Sequence, residues 1–280
     1  MKILITGANG YVGKSLTKAL NNEHDVIPLT RKEADLTNYE QVKEYFKDKY
    51  FDVVIHCAIE GGYRLEKDGP DVIDNNLKMY YNLLSNKDKF KKLFHFGSGA
   101  EKQDTFYGLS KKVINESIQD KDNIHNIRIF AVFDENENDA RFVKTNIKKY
   151  INKEDIEIFV NKYMDFIYME DFITLVKYCI ITDTLPKVVE CSYDCSPTLY
   201  DIAKIINTLD KYKVSIPVIA DTVILASFPD VEVTDDVTIP TTSPTAYPFP
   251  RLIGVAELIA PPEADIDKVK PDPLPVIAYV

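Results

Sequence analysis

Short apolar runs alternate with stretches in which apolar residues recur every three or four positions. KILIT (2–6) is continuous, apolar and followed by glycine, which predicts a buried parallel strand. Over 10–21, Val12, Leu16, Ala19 and Leu20 share one helical face. DVIPL (25–29) predicts a strand and the stretch after Asn38 a helix. FDVVIHCA (51–58) is the next strand, followed by a helix over about 70–86 and the strand KLFHFG (92–97). A helix beginning near Thr105 leads to the apolar run NIRIFAVF (126–133), read as one strand. Strands alternating with helices predict βα units around a parallel sheet, hence a doubly wound α/β fold. ARFVKTNIKKYI, EDFITLVKYCII and TLYDIAKIINTL then read as helices, and MDFIYM and VVECSY as strands, with elements of a small substrate lobe interleaved in this α/β domain.

Composition changes near residue 212. Of the 15 prolines, 11 lie in residues 213–280, and that segment has no asparagine. Short β-like runs separated by proline predict a β-rich, proline-rich C-terminal segment. We therefore divide the chain into 1–212 and 213–280. The second part could complete the substrate lobe, be an appended interaction module, or replace an ancestral terminus.

The net charge of −10 argues against a broad nucleic-acid footprint. No apolar run approaches the ~20 residues that span a membrane, and the N-terminus lacks a signal-peptide pattern, so a cytoplasmic protein is expected. Cys57, Cys179, Cys191 and Cys195 form no CxxC pair and have no nearby histidine ligands at metal-site spacing, so no metal site is expected.

Chemistry enters at the first turn, TGANGYVG (6–13). Glycines at 7, 10 and 13 follow a strand and open a helix. The first allows the tight turn, the second lets a pyrophosphate approach the backbone, and the third allows close helix–strand packing. This is the Rossmann pattern. The same residues also fall one short of a P-loop, with Lys14 and Ser15 in the phosphate and magnesium roles. Strand DVIPL runs into Thr30, Arg31 and Lys32. An arginine there suits the 2′-phosphate of NADP, with NAD as the alternative.

Ser98, Tyr107 and Lys111 form the candidate catalytic set. Hydride transfer to a carbonyl needs a proton donor, and a tyrosine serves if its pKa, ordinarily ~10, is pulled toward neutrality by a neighbouring cation. Tyr107 and Lys111, four apart on a predicted helix, share a face. Ser98 follows a strand at its carboxyl end, where it could orient a carbonyl.

TGANGYVG, Asp35-Leu36, HCA (56–58), Asn76 with NLL (82–84), GSGA (97–100), YGLSK (107–111) and DFIYMEDF (165–172) occur in that order. Together they resemble the extended branch of the short-chain dehydrogenase/reductase superfamily, which includes nucleotide-sugar epimerases, dehydratases and reductases. The resemblance covers about residues 1 to 210. It implies Ser98, Tyr107 and Lys111 as the catalytic trio, with Ser98 also touching substrate. It implies Gly7, Gly10, Tyr11, Val12 and Gly13 at the cofactor pyrophosphate, Asp35 and Leu36 beside the adenine, and Ala58 lining the cofactor pocket. Tyr107 and Lys111 would touch the cofactor as well. TRKEADLTN is similar to the stretch after the second strand of NADP-dependent GDP-fucose synthase-like reductases. Arg141 stands where this branch often meets the nucleotide diphosphate of its substrate, and Asn76 would tie strand to helix.

The chain departs from that pattern in places. Ser98 and Tyr107 are closer in sequence than is usual, and Ala100 stands where some epimerase-reductases carry a cysteine. The expected activity is that of an NADP(H)-dependent oxidoreductase or epimerase acting on a nucleotide-activated sugar, as a homodimer by resemblance. The alternative is a non-catalytic, cofactor-binding regulatory protein whose C-terminal segment mediates interactions.

Overall fold

The computed structural model describes residues 1–63, 66–193 and 196–220. In chain order its elements begin with β1 (Lys2–Thr6), α1 (Tyr11–Leu20), β2 (Asp25–Leu29), α2 (Tyr39–Phe46) and β3 (Phe51–His56). They continue with α3 (Asp71–Leu84), β4 (Phe90–Ser98), α4 (Phe106–Ile118) and β5 (Ile124–Ile129). Next come β6 (Val132–Phe133), α5 (Phe142–Ile151), β7 (Ile158–Val160), β8 (Ile167–Tyr168) and α6 (Met169–Ile181). The last are β9 (Val188–Cys191), α7 (Leu199–Ile206) and β10 (Val218–Ala220).

Contacts divide the chain into two units. The first comprises Met1–Phe130 and Met169–Cys191. Its six strands pair in the order β2-β1-β3-β4-β5-β9, every pair parallel. This is the doubly wound sheet expected from the strand–helix alternation. The strand order reverses between β1 and β3, and in open α/β sheets ligands bind in the crevice at the carboxyl ends of the strands flanking such a reversal. On one face Leu4, Val54, Leu93 and Ile124 share a core with Val42 and Phe46 of α2, Met79 and Tyr80 of α3, and Ile114 and Ile118 of α4. On the other face α1 and α6 pack together, the Phe96 ring meets Phe172 edge-on at 5.4 Å, and Lys177 bridges to Glu23 at 2.5 Å.

Local chemistry sets the helix starts. The Asn38 side chain accepts from the Gln41 amide to cap α2, and Thr105 Oγ1 accepts from the Gly108 amide to cap α4. A reciprocal box of Thr198 and Asp201 opens α7.

The second unit comprises Ala131–Tyr168 and the described residues from Ser192 onward. Its core gathers Phe133, Ile147, Tyr150, Ile158, Phe166, Ile202 and Ile206. Strands β6 and β8 pair in parallel, as do β7 and β10. Val214, Ile216 and Val218, at the start of the proline-rich segment, pack on this core, and Tyr212 stacks on Tyr150 with centroids 4.5 Å apart. The rest of the segment, 221–280, lies outside the described residues, as does Cys195.

The run NIRIFAVF does not form one strand. β5 ends at Ile129, within the six-stranded sheet, and β6 begins at Val132, paired with β8 in the second unit. An unbroken apolar run carries no mark of where its hydrogen-bonding partner changes. No helix among the described residues is long and apolar enough to cross a membrane.

Candidate active site

The glycine loop sits at the sheet's reversal point. Gly7, just after β1, has φ +63°, and a Cβ there would stand 2.6 Å from the Ala58 amide nitrogen and 2.7 Å from its Cα. The turns after β1 and β3 therefore touch through backbone, which only glycine permits. A Cβ on Gly13 would strike the Gly7 carbonyl, so α1 can lie close against the loop only with glycine there. Gly10 differs: its nearest neighbour would be the Gly7 oxygen at 3.3 Å, so the fold itself nearly tolerates a methyl. Gly10 is the N-cap of α1, and no side chain caps the first turn. Its amide groups thus remain available to an anion. Tyr11 and Val12 begin the helix. Ser15, the magnesium candidate of the P-loop alternative, donates its hydroxyl to the Tyr11 carbonyl at 3.1 Å.

After β2, Arg31 and Lys32 are exposed. Glu33, a residue the sequence reading passed over, folds back so that its carboxylate accepts from the Thr30 amide (2.9 Å) and hydroxyl (2.5 Å). Those bonds hold the Glu33 carboxyl below its usual range. Asp35 accepts from the amide and hydroxyl of Thr37 at 2.9 and 2.8 Å, which lowers its pKa as well. Leu36 is buried, and its carbonyl accepts from the Asn82 amide at 2.8 Å.

Ser98 ends β4 and caps the short 3-10 turn Gly99–Lys102: its hydroxyl accepts from the Ala100 amide at 3.2 Å, and its own amide donates to Glu101. Glu101 is 8% exposed and accepts from Arg128 Nη2 at 2.9 Å and Asn126 Nδ2 at 3.1 Å. Arg128 also pairs with Glu190, so its role is to anchor the turn that carries Ser98. A Cβ on Gly108 would strike the Ala100 carbonyl, which shows how tightly the start of α4 lies against that turn.

Tyr107 and Lys111 share one face of α4, with Nζ 5.7 Å from the Tyr107 ring centroid. Lys111 is 3% exposed and donates to the Phe96 carbonyl, two residues before Ser98. Burial pushes its pKa down to about 7, opposed by the Glu101 carboxylate. The Tyr107 ring also meets Gly62, whose Cβ would sit 2.9 Å from Cε2 and Cζ; Gly61 and Gly62 both have positive φ.

Asn76 locks this arrangement from beneath. It is 1% exposed; its Oδ1 accepts from the Glu60 amide (2.9 Å), and its Nδ2 donates to the Glu60 carbonyl (3.0 Å) and Ser110 Oγ (3.1 Å). It joins the loop after β3 to α3 and α4. His56 is buried with its Nδ1 2.8 Å from Thr6 Oγ1, and burial pushes its pKa down to about 3. Burial raises the thiol of Cys57.

The structure thus gathers Gly7, Gly10, Gly13, Ala58, Ser98, Tyr107 and Lys111 at the carboxyl edge of one sheet. Arg141 belongs to the second unit, as the exposed N-cap of α5. The sequence reading missed Gly62, Glu101 and Glu33. The pair GlyGly at 61–62 was a legible signal for a turn of positive φ; the two glutamates carried none, because their partners are set by the fold.

The chain is 29% identical over 163 residues to GDP-L-colitose synthase of Yersinia pseudotuberculosis, covering 56% of this chain but only 49% of that protein. It is 21% identical over 240 residues to CDP-abequose synthase of the same organism, covering 76% of this chain and 85% of that one. In fold it resembles dTDP-4-dehydrorhamnose reductase from Bacillus anthracis, solved in complex with NADP, with a TM-score of 0.65, 22% identity, and 77% and 82% of the two chains covered. The family described as NAD dependent epimerase/dehydratase matches residues 3–189, two thirds of the sequence, and the chain belongs to that family.

Proposed function

We propose that this protein is an NAD(P)-dependent oxidoreductase or epimerase of a nucleotide-activated sugar, with NADP the preferred cofactor. The observation that carries the reading is the buried Lys111, one helical turn from Tyr107, beside a glycine cradle with an uncapped helix start. The cradle fits a dinucleotide: Gly7 and Gly13 are filled by backbone, while a methyl at Gly10 would meet only one atom and otherwise point into open space. The nucleotide-sugar assignment draws on the relatives, a GDP-L-colitose synthase and a CDP-abequose synthase.

In this reading the first-turn amides of α1 hold the pyrophosphate, Asp35 and Leu36 lie beside the adenine, and Arg31 binds a 2′-phosphate. The bound nicotinamide supplies a hydride acceptor or donor. Tyr107 gives or takes the proton at the sugar oxygen, and the Lys111 ammonium favours its phenolate. Ser98 orients the same oxygen, and its hydroxyl, held as an acceptor by Ala100, keeps its own hydrogen free to donate. Arg141 is the proposed diphosphate contact. A homodimer belongs to the same proposal.

NAD remains the alternative on one observation: Glu33 lies in the turn after β2, tied to Thr30, close in sequence to Arg31. A fluorescence titration with NADPH and NADH separates the two. Tighter binding of NADPH supports Arg31 as the phosphate contact, and tighter binding of NADH assigns the position to Glu33. If neither binds and mass analysis finds no retained dinucleotide, the proposed function fails.

A further inference from the structure

A row of polar side chains crosses the sheet beneath α3 and α4. Thr6, His56, His95 and Asn126 are register partners on β1, β3, β4 and β5 in turn. The residues two before each, Leu4, Val54, Leu93 and Ile124, lie in the core under α3 and α4, so by strand alternation the four polar side chains face the same way. All are buried, with exposures between 0% and 2%. A row of leucine or valine would fill this space without needing hydrogen bonds, so each polar member calls for a partner.

Most have one. Thr6 and His56 pair at 2.8 Å, and the Asn126 amide group donates to Asn115 Oδ1 at 2.7 Å and to Glu101 Oε1 at 3.1 Å. His95 is the exception: neither ring nitrogen has a hydrogen-bond partner, and Asn126 Oδ1, on the neighbouring strand β5 and close against Gly97, lacks one too. Lys111 enters this space from above. It shares its helix stripe with Ile114 and Ile118, which lie in the same core, and its Nζ bonds to the carbonyl of Phe96, next in chain to His95. That is its one hydrogen bond among the described residues, and an ammonium has three hydrogens to give.

The unmet needs complement one another. A neutral imidazole offers one acceptor and one donor; Lys111 has hydrogens to donate, and Asn126 Oδ1 can accept. We propose that His95 is a positioning residue for Lys111, its neutral ring accepting from the ammonium on one side and donating toward Asn126 Oδ1 on the other, so that Nζ is held in place relative to Tyr107. The titratable groups that face His95 are His56 from β3 (rings 5.4 Å apart), Tyr80 from α3 (5.7 Å) and Lys111 from α4. Burial first, then the Lys111 charge, keeps the imidazole neutral. The inference rests on the proposed roles of Tyr107 and Lys111, but its test needs neither cofactor nor substrate.

The test follows the Lys111 side-chain NMR signal, assigned by its loss in Lys111→Met, from about pH 5 to about pH 11 in wild type, His95→Leu and His95→Gln. Removing the acceptor should lower the Lys111 midpoint by about one pH unit in the leucine variant, and glutamine, which keeps an acceptor and a donor, should restore it. An unchanged midpoint in a folded His95→Leu protein overturns the proposal and leaves His95 as packing. Should both variants fail to fold, the wild-type His95 ring nitrogens decide. One accepting and one protonated nitrogen in a single tautomer supports the proposal, and two nitrogens with free-imidazole shifts overturn it. A failed dinucleotide titration would count against the proposed function without touching this result.

Discussion

Gly62 is packed against the Tyr107 ring. A methyl on residue 62 would lie 2.9 Å from Cε2 and Cζ of the phenol ring, and the residue has φ +75°. The loop after β3 is thus a wall for the candidate acid–base residue, and its shape depends on two adjacent glycines that side chains cannot replace without strain. Gly62 is further fixed by its amide, which donates to Asp68 Oδ1 at 2.9 Å.

Replacing Gly62 with alanine should therefore act twice. The positive φ and the displaced ring together should cost about 1–3 kcal/mol of stability, and turnover should drop tenfold or more because Tyr107 moves. Chemical unfolding and initial rates measure the two effects; a variant with wild-type stability and rate would show that the contact is soft.

The glycines of the first turn should separate in their effects. Gly13→Ala collides with the Gly7 carbonyl and should destabilise the fold itself. Gly10→Ala has nearly enough room, so its unfolding midpoint should stay close to wild type while dinucleotide affinity falls by about tenfold or more through lost backbone approach. Equal losses of stability in both variants would remove the distinction.

Asn76→Leu should be among the costlier single changes. It strands the amide and carbonyl of Glu60 and removes the donor that Ser110 Oγ accepts from, leaving that hydroxyl its bond to the Tyr107 carbonyl, at a position 1% exposed. About 1–3 kcal/mol should be lost in urea unfolding, since both part-buried backbone groups of Glu60 lose their partner at once. A loss below about 0.5 kcal/mol would mean the loop re-forms its bonds elsewhere.

Lys111 carries a pH signature in the protein without ligand. Its folded pKa of about 7 lies below the ordinary lysine value of 10.5, so between those values the unfolded chain holds a proton that the native state lacks. Stability should accordingly rise with pH across that window, by at most about 1.4 kcal/mol per unit, and be flat in this contribution below it. In Lys111→Met the slope should vanish. Unfolding curves of the two proteins at several pH values test this; parallel pH dependence would place the Lys111 pKa outside the window.

Much of this protein was written in local order. The alternation of apolar runs and helical stripes, the glycine spacing after β1, and the four-residue step from Tyr107 to Lys111 are short-range properties, because a strand, a tight turn and a helix face each depend on neighbours a few positions apart. They sufficed for the parallel sheet and for the family. Other features depended on which distant residues meet. That β5 stops at Ile129, that Glu101 and Arg128 anchor the turn bearing Ser98, that Gly62 lies against Tyr107, and that Thr6, His56, His95 and Asn126 align in one row follow from strand order and register. Residues twenty-seven to fifty positions apart become partners there only after four strands have paired, so no local pattern marks them in advance.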